Sequence, residues 1–158
     1  MRDAGFTLVE VLVVLAIIAI AAGVAVVAYD GNDRDRAIRE ARRFAGALEH
    51  AAARAQARSE TLGASAEDGV WRFWKRDADS GRWQPLADDD TVLAAHALPS
   101  PMRLAPTSFS GREVAVDTIV PFRPTGRNEP FTFELASRDA RFVLAADPLN
   151  RIAVVTPE

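Results

Sequence analysis

The chain contains no cysteine. That excludes a disulfide framework and any thiolate metal site or thiol nucleophile. Histidine is almost as scarce, with only His50 and His96, which leaves no His cluster for zinc or for a triad. No glycine-rich loop of the kind that cradles phosphate is present. No internal repeat or low-complexity tract occurs, and 158 residues suffice for one domain with a core plus an appendage.

Positive charge is missing from most of the chain. Residues 1–33 hold one Arg against four acids, and residues 59–158 hold eleven basic against fifteen acidic side chains. The basic excess sits in residues 34–58, with seven Arg against three acids. An acidic globular part argues against a broad nucleic-acid-binding surface, so no nucleic-acid partner is expected.

One long apolar run is present. The stretch "GFTLVEVLVVLAIIAIAAG" opens it, and residues 11–29 carry no charge. As a helix, nineteen residues at about 1.5 Å each span roughly the 30 Å hydrocarbon core of a bilayer. A cleaved secretory signal fits less well, because "MRDAG" nearly balances Arg2 with Asp3 and the apolar run is too long. Glu10 stands out within it. A carboxylate in an apolar span costs on the order of 2.5 kcal/mol near the centre, and calls for a partner, a function or an interfacial position. Ala16, Ala19, Ala22 and Gly23 would let like helices approach closely.

Past Tyr29, "YDGNDRDR" predicts a break or kink at Gly31 and Asn32, with Asp33 as the cap of a second helix. Ile38, Ala41, Phe44, Ala45, Leu48, Ala52 and Ala55 recur at three- and four-residue steps, which predicts an amphipathic helix from about Asp33 to Leu62, closed by Gly63. Its polar side carries Arg36, Arg39, Arg43, Glu40, Arg54 and Arg58, as a packing surface against neighbouring subunits, a basic membrane-facing face, or a solvated face with local Glu/Arg pairs. Short strands are expected at 70–75, 82–86, 113–117, 119–123, 131–135, 141–145 and 152–155, with "LPSPMRLAP" as a loop. The fold class is α+β, with a long N-terminal helix on an antiparallel β-domain.

The residues "GFTLVE" ahead of an apolar helix resemble the N-terminus of type IV pilins and type II secretion pseudopilins. That resemblance implies cleavage by a prepilin peptidase between Gly5 and Phe6 and N-methylation of Phe6. It also implies an assembly role for Glu10, which would become the fifth residue of the mature chain. "FRPTGRNEPFTFEL" (122–135) resembles a segment of GspH-type minor pseudopilins and their FimT relatives. The implied division is a leader at 1–5, a transmembrane and assembly helix at 6–29, an amphipathic helix at 30–62 and a periplasmic β-domain at 63–158. The implied function is that of a non-enzymatic minor pseudopilin at or near the pseudopilus tip, supporting export of folded proteins. It would lie in the bacterial inner membrane with its N-terminus cytoplasmic, and partner other pseudopilins through helix packing. A FimT-like minor pilin of type IV pili, in pilus biogenesis or DNA uptake, is the alternative. Charge bias alone would reverse the topology, since the arginines come after the span; the resemblance places that side in the periplasm.

Neither cofactor nor metal is expected. Asp77, Asp79 and the run Asp88–Asp90 read as solvated acidic loops in preference to calcium ligands, His50 as a solvated histidine, and Trp71, Trp74 and Trp83 as strand packing in preference to a partner groove.

Overall fold

The computed structural model describes residues 8–86 and 90–157, the side chains of 22–32 excepted. One helix, α1 (Leu8–Arg58), runs 51 residues, about 77 Å at 1.5 Å per residue. It is helical straight through Gly31 and Asn32, so the predicted break there is corrected. A single glycine costs a helix only about 1 kcal/mol, less than restarting a nucleus on its far side.

The helix also stops earlier than predicted, at Arg58 instead of Leu62. Ser59 takes the left-handed conformation (φ 53°). Glu60 N–H donates to Ala55 O at 3.0 Å and Ser59 N–H to Gln56 O at 3.4 Å, the pattern of a Schellman C-cap. Leu62, predicted as helix, opens the first strand.

That strand, β1 (Leu62–Glu67), is followed by β2 (Val70–Arg76), β3 (Trp83–Pro85), β4 (His96–Ala97) and β5 (Arg103–Phe109). Then come β6 (Arg112–Glu113), β7 (Val120–Phe122), β8 (Phe131–Ala136), β9 (Arg141–Ala146) and β10 (Ile152–Val155). They form two antiparallel sheets. One has the order β3-β2-β1-β7, with β4 also on β2; the other is β10-β9-β8-β5-β6. The predicted strands at 70–75, 82–86, 119–123, 131–135, 141–145 and 152–155 recur with small shifts of boundary. Only Glu113 of 113–117 is strand, and Leu98–Pro106, predicted as loop, contains the start of β5.

The structure is thus α+β, the second half of the helix packed on antiparallel sheets. Ala37, Ala41, Phe44, Leu48, Ala51 and Ala55 are fully buried along one stripe of α1. Phe44 joins the layers: its ring centroid lies 5.0 Å from Trp71 in the first sheet and 5.1 Å from Phe133, edge-on, in the second. The segment at 122–135 buries Phe122 and turns at Gly126 (φ 75°). It is held by buried Asn128, whose Oδ1 accepts from Arg123 N–H at 2.7 Å and whose Nδ2 donates to Asn150 Oδ1 at 2.7 Å.

Candidate assembly interface

Among the described residues nothing covers the first turns of α1. All ten leucine, valine and isoleucine side chains from Leu8 to Ile20 are exposed, none less than Val14 at 46%. They point to every side, because the sequence here has no polar stripe for a helical period to separate. Ala16 and Ala19, one turn apart, are exposed among them. Contiguous apolar surface of this extent marks a site that meets another protein or lipid. Among the described residues no helix is long and apolar enough to cross a membrane; the described side chains of the apolar run end at residue 21, and those of 22–29, with Ala22 and Gly23, lie outside them.

Glu10 lies in the first turn of α1, exposed. A carboxylate near the N-terminal end of a helix lies at the positive end of its dipole, where on an apolar helix it is best tolerated. Gly5 and Phe6, the predicted cleavage and methylation residues, lie outside the described residues.

The remaining chemistry-bearing side chains brace the domain. Arg54 donates to Glu60 Oε1 at 2.9 Å and to Asp90 Oδ2 at 3.2 Å, Lys75 lies 2.8 Å from Glu60 Oε2, and His50 Nε2 lies 2.8 Å from Asp90 Oδ2. Partial burial pushes both carboxyls up. The hydrogen bonds and charges of Lys75 and Arg54 at Glu60, and of His50, Arg54 and Val92 N–H at Asp90, outweigh it and hold both below their ordinary values. His50 is therefore exposed yet tied to the loop before β4. His96 bonds Glu40 at 3.0 Å and lies against Trp71, 4.3 Å between centroids. Asp90 belongs to this brace and not to a solvated loop, whereas Asp88 and Asp89 lie outside the described residues. Asp77 closes the β2–β3 turn on Ser80, whose hydroxyl and backbone N–H lower its pKa.

Trp71 is core, Trp74 donates to Ser65 Oγ at 2.8 Å, and Trp83 lies under the Arg76 guanidinium. Among the described residues no three His, Asp or Glu side chains gather around a metal-sized space. A surface groove of about 750 Å³ runs between the β1–β2 turn and β5, and its lining contains neither histidine nor a nucleophile–base pair. Sequence reasoning missed the brace, since Glu60, Arg54 and Asp90 come together only across separate elements. The Arg54–Glu60 spacing was its only local trace.

Comparison with known proteins bears on both halves of the chain. The family model "Prokaryotic N-terminal methylation motif" matches residues 1–26, and that of "Type II transport protein GspH" matches residues 40–150. Type II secretion system protein H of Aeromonas hydrophila is 34% identical over 105 residues, covering 66% of this chain and 57% of that protein. Its Escherichia coli K12 namesake is 38% identical over 92 residues, 56% and 54% respectively. The chain thus spans little more than half the length of these relatives. The minor pseudopilin EpsH of the Vibrio cholerae type 2 secretion system superposes with a TM-score of 0.62 at 18% identity, over 79% of this chain and 96% of that one. Escherichia coli GspH superposes at 0.58 and 20% identity, over 78% and 89%. These two likenesses establish a shared fold. With the GspH model covering α1 from Glu40 through most of the β-domain, the chain belongs to the type II transport protein GspH family.

Proposed function

We propose that this chain is a minor pseudopilin of a type II secretion system, a structural subunit with no catalytic step of its own. The observation that carries the reading is the naked apolar start of α1, with Glu10 in its first turn, continuous with a folded β-domain. The methylation motif at 1–26 and the family membership support it. In this reading residues 1–5 are a leader removed by prepilin peptidase between Gly5 and Phe6, and Phe6 is then N-methylated. Residues 6–29 hold the subunit in the bacterial inner membrane with its N-terminus cytoplasmic. Residues 30–62 continue the helix into the turn, and residues 63–158 form a periplasmic domain at or near the tip of the pseudopilus.

The helix has two environments, lipid before assembly and like helices after it. In the second, the carboxylate of Glu10 neutralises the Phe6 amino group of a neighbouring pseudopilin, since an unpaired charge in apolar surroundings is costly and a paired one much less so. Assembly of such subunits then helps move folded cargo outward. The test is Glu10→Val in a secreting host. Membrane insertion and leader cleavage should match wild type, while co-purification with the other pseudopilins falls at least tenfold. Undiminished co-purification would sink the reading.

A further inference from the structure

The reading of Glu10 as the assembly residue leaves the arginine cluster after the apolar run without a role. Arg36, Arg39, Arg42 and Arg43 are all exposed. At 100° per residue they fall within an arc of about 120° on the side of α1 opposite the buried Ala37–Ala41–Phe44 stripe. Arg34, also exposed, precedes them in sequence but falls about 140° from the centre of that arc. Among the described residues none of these five guanidiniums is in an ion pair. Of the neighbouring acids, Glu40 holds His96 and Glu49 accepts from Ile152 N–H at 3.1 Å, while half-buried Asp33 is in no ion pair among the described residues. Asp35 is the exposed acid left beside them.

Position gives the cluster a partner. It belongs to the same unbroken helix as the apolar run, and Arg36 lies only about 10 Å of helix rise beyond Tyr29. Helical Cα–Cβ bonds tilt toward the N-terminus, so each long arm is directed back toward the apolar end. Headgroups occupy roughly 5–7 Å on each side of the hydrocarbon core, and their charge acts over about a further 8–10 Å of physiological solution. Tilting of a span, about 20° on average, brings the later arginines closer still. A bilayer that holds the apolar run therefore brings headgroup charge within reach of Arg36 and Arg39 first, whereas an acidic protein would have to be brought to this face.

We propose that the basic face formed by Arg36, Arg39, Arg42 and Arg43 binds anionic phospholipid headgroups and holds the helix leaning on the bilayer until the subunit is drawn into a fibre. This rests on the reading of residues 6–29 as a membrane span. Leaving the bilayer then requires the arginines to exchange lipid phosphates for other partners, so lipid charge sets how readily the subunit is extracted.

Gly46 provides the probe site. It lies within the same arc, a β-carbon there would meet nothing within 4 Å, and the chain has no other cysteine to label. Full-length Gly46→Cys, carrying a fluorescent donor, is placed in nanodiscs of phosphatidylcholine containing a trace of acceptor on either phosphatidylglycerol or phosphatidylcholine. Energy transfer should report at least about fivefold enrichment of the anionic acceptor, the factor one arginine near such a surface contributes. About 1 M salt, where screening acts within roughly 3 Å, should abolish it. So should R36Q/R39Q/R42Q/R43Q, while the corresponding Lys variant keeps it. Equal acceptor levels in a chain that has inserted, or enrichment undiminished in the Gln variant, would overturn the proposal alone. Shielding of the label by added pseudopilin, without any lipid preference, would overturn it in favour of a protein contact. A chain that enters no nanodisc at all would remove the span, and the proposal with it.

Discussion

Gly63 shows how one residue type can serve two structural ends. In sequence it looks like a helix stop; in the structure it is the second residue of β1, paired with Trp74 and Pro121. A β-carbon there would lie 2.5 Å from Ile119 Cγ2 and 2.9 Å from Trp83 Cζ3. The glycine is therefore a space that lets the Trp83 ring and Ile119 close over the outer face of the first sheet. Helix termination falls to Ser59 instead, a residue with no glycine signature. Gly63→Val should displace Trp83 and destabilise the domain by about 1–3 kcal/mol, the usual range for overpacking. Urea unfolding followed by tryptophan emission measures it; a valine variant as stable as wild type would show that the Trp83 lid yields freely.

At the scale of elements, Phe44 is the residue on which helix and sheets meet. It is fully buried against Trp71, Phe73 and Phe133, so one side chain couples α1 to both sheets. Phe44→Ala should lower stability by about 3–5 kcal/mol. Exchange protection should fall in β2 and β8 together, and loss confined to one sheet would show the layers to be independent. This packing was legible in advance, because the Ala-rich stripe around Phe44 keeps helical period and the strands at 131–135 and 141–145 alternate. β5 was not. Pro106 reads as loop punctuation, yet it is buried in mid-strand opposite Phe133. The register shifts between Pro106 and Ser108, leaving Thr107 as the extra residue of a bulge, its hydroxyl bonded to Thr132 Oγ1 at 2.7 Å. Proline is admitted to sheets where pairing is irregular, and that irregularity depends on a partner strand 25 residues away. Of the candidate interface, the apolar run and Glu10 were legible because their chemistry is local. The brace at Glu60 was not, because it exists only once α1, β2 and the loop before β4 have come together.

That brace contributes to how the whole molecule responds to acid. Glu60 faces Arg54 from α1 and Lys75 from β2, and Asp90 faces His50 and Arg54 from α1. Both carboxyls titrate below their ordinary values in the folded chain. The fold thus favours their charged forms, and the unfolded chain takes up protons first as pH falls. Their contribution is complete above the ordinary carboxylate range and is lost progressively below about pH 4, as protonation reaches the folded values. The urea midpoint of the β-domain should therefore change little between pH 7 and 5 from these groups and drop below about pH 4. Glu60→Gln removes one of these charges at every pH. It should lower stability by about 2 kcal/mol at pH 7, since Arg54 and Lys75 lose a nearly buried partner, and the gap from wild type should narrow as pH approaches 3. The slope that persists belongs to Asp90 and to Asp77 and Asp147, whose carboxyls are also held low by hydrogen bonds from their turns. If the two curves stay parallel down to pH 3, the acid response does not originate at Glu60, and the helix is held to the first sheet by apolar packing around Phe44 and not by charge.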